Sequence, residues 1–198
     1  MAKNYLITGI GGQGVVTLGK LIAESAKKYE KGVSLYPIKG MAQRGGIITA
    51  FIRVGDYVSP LIPEGEADVI IALELSESLR YISKIKKGGL LLCNKRTFIP
   101  QSIKLKDYPT PDEVEKYYKE LEVSIVLFNS DEIKKNDPSK VIYENIAMLG
   151  LLSAFLPNEP YLDPEIMKNL IKGYFKSHIP ENIYSFEAGY EFGKGLRM

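Results

Sequence analysis

The segment TGIGGQGVVTLGK, residues 8–20, constrains the fold more than any other part of this chain. A short apolar run at residues 4–8 ends in glycines, and a helical pattern begins directly beyond them. Gly9, Gly11 and Gly14 keep the G-x-G-x-x-G spacing, with Gly12 and Gln13 inside the turn. Between a strand and a helix, such glycines allow close backbone approach, and the first N–H groups of the helix face any anion placed there. The chain therefore reads as the opening of an α/β fold.

Periodicity extends that reading. Val15, Val16, Leu18, Leu21, Ile22 and Ala26 share one side of a helix that spans roughly residues 13–28. Residues 33–38 and 47–54 read as strands, and the turn at 54–57 leads into a short, proline-limited edge segment at 58–63. ADVIIAL at 67–73 is apolar on both faces, as a buried parallel strand is. A helix is expected over 76–85, broken by the glycines at 88 and 89, with LLLCN at 90–94 as another buried strand. Residues 98–105 read as extended, 109–121 as a helix with Pro111 and Asp112 near its start, and 123–129 as the last strand. Two helices are expected to begin at Asp137-Pro138 and Asp163-Pro164, each with an N-cap acid before a proline. A last segment at 181–195 completes the chain.

The expected fold is α/β: a three-layer, Rossmann-like domain with a mostly parallel, mixed central sheet flanked by helices. The hairpin-like region at 47–62 is what makes the sheet mixed. One domain covers 1–198, with a C-terminal helical segment from about 138 to 198 packed on it.

Composition narrows the function. The 26 basic and 24 acidic residues leave a net charge of +2, not the strongly basic face that nucleic acid requires. The basic clusters at 84–89 and 132–137 read as solvated helix ends. The chain has one cysteine, Cys93, and one histidine, His178. They can form neither an internal disulfide, nor a structural zinc site, nor a cysteine-ligated iron–sulfur cluster. Any redox metal is expected on another chain. Cys93 reads as core, and His178 as a cation capping a helix C-terminus. No signal peptide and no apolar run of 18 residues is present, so no membrane is expected and the cytoplasm is the default location.

On its motif alone, the glycine turn suggests a nicotinamide or flavin dinucleotide. That pattern needs an acid about 20 residues on, at the end of the second strand, to hold the ribose. Lys39 stands there instead, and Glu30 precedes the strand. A P-loop is also absent, since no lysine comes before the hydroxyl residue.

In an open α/β sheet, ligands gather beyond the C-terminal ends of the parallel strands. Three loops are expected to converge there. They bring Gly11, Gly12 and Gln13; then Lys39, Gly40, Met41, Gln43, Arg44, Gly45 and Gly46; then Glu74, with Ser76 beside it. Lysine and arginine neutralise phosphate or carboxylate, and arginine does so through a planar fork. Arg44 and Glu74 are the candidates for a catalytic part, though no nucleophile–base pair accompanies them. A salt bridge between the two, holding the loop in shape, is the plainer alternative.

These residues carry a resemblance. GIGGQGVVTLGKLIAESA, the stretch from Lys39 to Ile82 that contains KGMAQRGG, SPLI and ALE, and ENIAMLGLL resemble the gamma-type domain of the 2-oxoacid:ferredoxin oxidoreductase family. The GMAQRGG loop followed by SPLI is similar to the small (beta) subunit of the indolepyruvate branch. One departure is that a Ser-Glu-x-His-like run often precedes this loop in the branch. Here the four residues are Tyr36, Pro37, Ile38 and Lys39, which changes the charge at neutral pH.

The resemblance implies a subunit of an enzyme of anaerobic metabolism that oxidatively decarboxylates a 2-oxoacid, with indolepyruvate or another arylpyruvate as substrate. The products are an acyl-coenzyme A and reduced ferredoxin. It further implies thiamine diphosphate and iron–sulfur clusters in a large (alpha) partner subunit, with coenzyme A as co-substrate. This chain would bind none of these cofactors entirely by itself and would be inactive alone. It would help close the active site, with the 40–46 loop facing the partner and Lys39 or Arg44 meeting an anionic group. The alternatives are a stand-alone NAD(P)- or flavin-binding oxidoreductase, or a purely structural companion subunit.

Overall fold

In the computed structural model, which describes residues 2–30, 32–40, 46–98, 108–134 and 139–197, a six-stranded sheet forms the middle layer. Its strands are β1 (Lys3–Ile10), β2 (Val33–Lys39), β3 (Ile47–Val54), β4 (Ala67–Ala72), β5 (Ile85–Asn94) and β6 (Ser124–Phe128), in the order β2-β3-β1-β4-β5-β6. The β1–β4, β4–β5 and β5–β6 pairs are parallel, and β3 alone runs against the others. The sheet is mixed, as expected, but the hairpin responsible is β2–β3.

The central strands read as continuous apolar runs because helices bury both faces. Tyr5 and Ile7 of β1 point to a core shared with α1 (Val15–Ala26), α5 (Glu144–Phe155), α6 (Pro164–Tyr174) and α7 (Ile179–Arg197). Leu6 points to a second core under α2 (Leu75–Arg80) and α3 (Pro111–Glu120). A short α4 (Ser130–Lys134) follows β6. Helix α5 is apolar almost all round, so its side away from the sheet also needs cover, and α7 supplies it. The two backbones touch at Gly150 and Gly189: a side chain at either would run into main-chain atoms of the other helix.

Several boundaries differ from the sequence-based expectation, each for a local reason. The helix expected over 76–85 ends at Arg80, a 3-10 turn covers Ile82–Lys84, and Ile85 already belongs to β5. The spacing by three of Leu79, Ile82 and Ile85 suits that tighter turn as well as it suits an α-helix. The lysines at 84–87 are thus at a strand start, not a helix end. Lys84 pairs with Glu64 at 2.8 Å, Lys86 with Asp68, and Lys87 with Glu122 at 2.8 Å.

Residues 58–63 form no strand. Their carbonyls serve another purpose: Arg53, buried in β3, donates from Nη1 to the Ser59 and Leu61 carbonyls at 3.1 Å each and from Nε to Asn4 Oδ1 at 2.9 Å. A buried guanidinium needs those acceptors, and the loop is folded to provide them.

The helix expected from Pro138 starts at Glu144, with Tyr143 at its N-cap and residues 139–143 outside it. Asp137 and Pro138 lie outside the described residues. Asp163 does cap α6, its Oδ1 accepting from Glu165 and Ile166 N–H at 2.9 and 3.2 Å. His178 does not sit at a helix C-terminus. It precedes α7 with φ +55°, and its carbonyl accepts from Asn182 N–H at 3.0 Å. Among the described residues, no helix is long and apolar enough to cross a membrane.

Candidate functional site at the strand ends

Strands β1, β2 and β4 end at the same edge of the sheet. Gly11 N–H donates to the Gly46 carbonyl at 2.9 Å, joining the glycine turn to the start of β3. The Gln13 side chain does the rest: its Oε1 accepts from Ile10 N–H at 2.7 Å, and its Nε2 donates to the Leu73 carbonyl at 3.1 Å. Gly9 ends up against this amide, where a side chain would collide with Gln13 Oε1. Gly14 is the N-cap of α1 in the left-handed region, φ +82°, and no side chain caps the helix. A side chain there would strike the Asn145 amide as well as strain the backbone.

Helix α1 leaves β1 toward one face of the sheet and α2 leaves β4 toward the other. The gap between β1 and β4 is therefore the topological switch point, where open α/β sheets bind ligands. A crevice of about 410 Å³ lies there. It is lined by Gly11, Gly12, Gln13 and Leu73 together with Arg96, Phe98, Glu144 and Asn145.

That second group was missed by sequence reasoning. Arg96 lies two residues beyond the end of β5, at the strand-end position from which the other candidates were chosen, and that signal would have found it. Glu144 and Asn145 open α5, whose start the sequence misplaced. Glu144 Oε1 accepts from Arg96 Nη1 at 3.2 Å and Ser130 Oγ at 2.9 Å, and its Oε2 accepts from Asn94 Nδ2 at 3.0 Å.

Glu74 is fully buried and does not face the crevice as a free carboxylate. It caps α2, its Oε2 accepting from Glu77 N–H at 3.0 Å and from Ser76 Oγ at 2.7 Å. Its Oε1 accepts from Phe98 N–H at 3.2 Å and from the Tyr108 hydroxyl. With four donors on two oxygens, its geometry is that of an anchor. Lys39 ends β2 exposed, and Gly40 N–H donates to the Ile47 carbonyl at 2.8 Å. Met41, Gln43, Arg44 and Gly45 lie outside the described residues, and with them the expected Arg44–Glu74 pair.

Strand β3 sits between β1 and β2, which moves the end of β2 two strand spacings, roughly 10 Å, from the glycine turn. In the dinucleotide pattern the ribose-binding acid stands on the adjacent strand. Here even an acid at Lys39 would be displaced from a nucleotide lying on the turn. Cys93 is equally remote from redox use, its sulfur buried at the end of β5 and its thiol pushed up to about 12 by burial, with the Glu74 charge adding to the rise.

Comparison with known proteins decides the family. Residues 4–192 match the pyruvate ferredoxin/flavodoxin oxidoreductase family. The chain belongs to this family. The indolepyruvate oxidoreductase subunit IorB of Archaeoglobus fulgidus is 35% identical over 193 residues, covering 96% of this chain and 94% of its own. Among solved structures, the pyruvate oxidoreductase subunit PORC of Thermotoga maritima superposes with a TM-score of 0.67 at 21% identity, covering 96% of each chain. The 2-oxoglutarate:ferredoxin oxidoreductase of Magnetococcus marinus, with 2-oxoglutarate, coenzyme A and succinyl-CoA bound, gives 0.66 at 19% identity. It matches 98% of this chain on 31% of its own length. The relatives it matches over nearly its full length are named as oxidoreductase subunits, and the likeness to the two solved structures is one of fold.

Proposed function

We propose that the chain is the small subunit of an indolepyruvate-type 2-oxoacid:ferredoxin oxidoreductase. The enzyme would oxidatively decarboxylate an arylpyruvate, release carbon dioxide, transfer the acyl group to coenzyme A and pass the electron pair to ferredoxin. The observation that carries this reading is the near full-length similarity to the IorB subunit, joined to a switch-point crevice whose lining, among the described residues, holds no nucleophile–base pair.

Thiamine diphosphate and the iron–sulfur clusters, held by the large subunit, supply the bond-breaking and electron-transfer chemistry. This chain's one thiol is buried at Cys93, so its residues do not fit a thiolate-ligated cluster. Its part is to position and enclose. The glycine turn gives a bare backbone wall, and Arg96 gives a fixed positive charge. The 40–46 loop, with Met41, Gln43 and Arg44, faces the large subunit from the same edge. Lys39 or Arg44 meets an anionic group there, either a coenzyme A phosphate or the substrate carboxylate.

The test is kinetic, on the complex reconstituted with its large subunit. The wild-type complex should reduce ferredoxin with an arylpyruvate and coenzyme A. Arg44→Ala should assemble normally yet raise the KM for coenzyme A or oxoacid about tenfold, the size of one charge-assisted hydrogen bond. A wild-type complex without this activity would overturn the assignment. An Arg44→Ala chain that only fails to assemble would favour the purely structural companion.

A further inference from the structure

We infer that Arg96 and Phe98 together read the ligand of the crevice, and that this ligand joins a planar ring to an anionic group. The inference rests on the proposal that the crevice is a ligand site of the oxidoreductase.

Beyond β5 the chain continues through residues 95–98 without helix or turn. Arg96 and Phe98 both line the crevice. The backbone carrying them is clamped at three points. Lys95 N–H donates to the Phe128 carbonyl at 2.7 Å, Leu75 N–H donates to the Arg96 carbonyl at 2.9 Å, and Phe98 N–H donates to Glu74 at 3.2 Å. This explains the buried carboxylate of Glu74: it fixes the arm from behind and is a positioning residue. An arm held so firmly is pre-organised, which lowers the entropy lost when a ligand binds.

The side chains on the arm are left available. Phe98 is 57% exposed although it lines the crevice. Arg96 gives one nitrogen, Nη1, to Glu144. Among the described residues its Nη2 and Nε have no protein partner. Glu144 orients the fork while its own two oxygens take three donors, leaving the free edge of Arg96 for an incoming anion. A side chain added at Gly12, which lines the same crevice, would meet nothing within 4 Å, so the backbone there is open to a flat group. Ring recognition by Phe98 and charge recognition by Arg96, two residues apart, specify a ring–anion ligand.

Two molecules of the proposed reaction carry that chemistry: the arylpyruvate, through its aryl ring and carboxylate, and coenzyme A, through its adenine and phosphates. The experiment separates them by measuring both KM values on the assembled complex for Arg96→Ala, Arg96→Lys and Phe98→Ala, with iron and thiamine content as the assembly control. Arg96→Ala should raise one KM about tenfold or more, and Phe98→Ala should raise the same KM at least about fivefold, with smaller changes in kcat. Arg96→Lys should recover part of the loss. A shifted arylpyruvate KM identifies the substrate, and a shifted coenzyme A KM identifies the co-substrate. Assembled variants with both KM values within about twofold of wild type would overturn the inference. Phe98→Ala removes no side-chain hydrogen bond, so it carries the test even where Arg96 variants fail to assemble. Loss of the underlying functional assignment looks different, because the wild-type complex itself would then lack the activity.

Discussion

Gln13 Nε2 donates to the Leu73 carbonyl at 3.1 Å, and this one contact ties the glycine turn after β1 to the end of β4. The same amide accepts from Ile10 N–H at 2.7 Å, so one side chain holds both lips of the switch-point crevice. Gln13→Ala removes both bonds and should cost about 1–3 kcal/mol in urea unfolding. Gln13→Glu keeps the acceptor for Ile10 but faces the Leu73 carbonyl with a negative charge. It should weaken anion binding in the crevice more than Gln13→Ala does, read as the larger rise in KM.

Gly14 and Asn145 make a second coupled pair. Gly14→Ala meets two penalties: a left-handed backbone at φ +82°, roughly 1–2 kcal/mol, and a collision with the Asn145 side chain. Gly12→Ala, at φ +95° with open space around it, meets only the first. Adding Asn145→Ala to Gly14→Ala should therefore recover the collision part and leave the strain. Thermal unfolding of the wild type, Gly14→Ala, Asn145→Ala and the double variant gives the double-mutant cycle, and additive losses would contradict the contact.

Glu74 separates a positioning role from a catalytic one. Glu74→Ala leaves the N–H groups of Glu77 and Phe98 and the hydroxyls of Ser76 and Tyr108 without their shared acceptor. A loss of about 2–4 kcal/mol in stability is expected. Glu74→Gln, which keeps an acceptor, should lose less, and its pH–rate profile should keep the wild-type shape. Loss of the acidic limb from that profile with stability intact would make Glu74 a general base.

Cys93 should be chemically silent. Burial first, and the nearby Glu74 charge, push its thiol up to about 12, against partial relief by a bond to Ser78. The reactive thiolate forms only as pH approaches that value. Maleimide at pH 8 should leave the native chain unlabelled and label the urea-unfolded chain to one equivalent. Rapid native labelling would show that this end of β5 opens.

Much of this architecture is legible in the sequence, and the reasons are physical. The strands at 67–72 and 90–94 are covered on both faces, so they read as unbroken apolar runs. The glycine turn is a local motif, and its partners after β2 and β4 follow from the rule that ligands gather at strand ends. What was not legible lies in contacts between distant segments. Arg96, Phe98, Glu144 and Asn145 meet only after folding, and of the four only Arg96 carries a local signal, its place just beyond a strand end. The segment at 58–63 looked like an edge strand because nothing local shows that Arg53 would claim its carbonyls. The mixed sheet was anticipated from a hairpin over 47–62, and it arises from β3 within that region inserting between β1 and β2.

The central claim, that this chain completes a larger oxidoreductase, is tested most directly by native purification from its host with partner mass, iron and thiamine measured together. The account predicts a brown complex in which a much larger polypeptide carries the iron–sulfur clusters and thiamine diphosphate. A colourless, self-contained oligomer that binds a dinucleotide would contradict it.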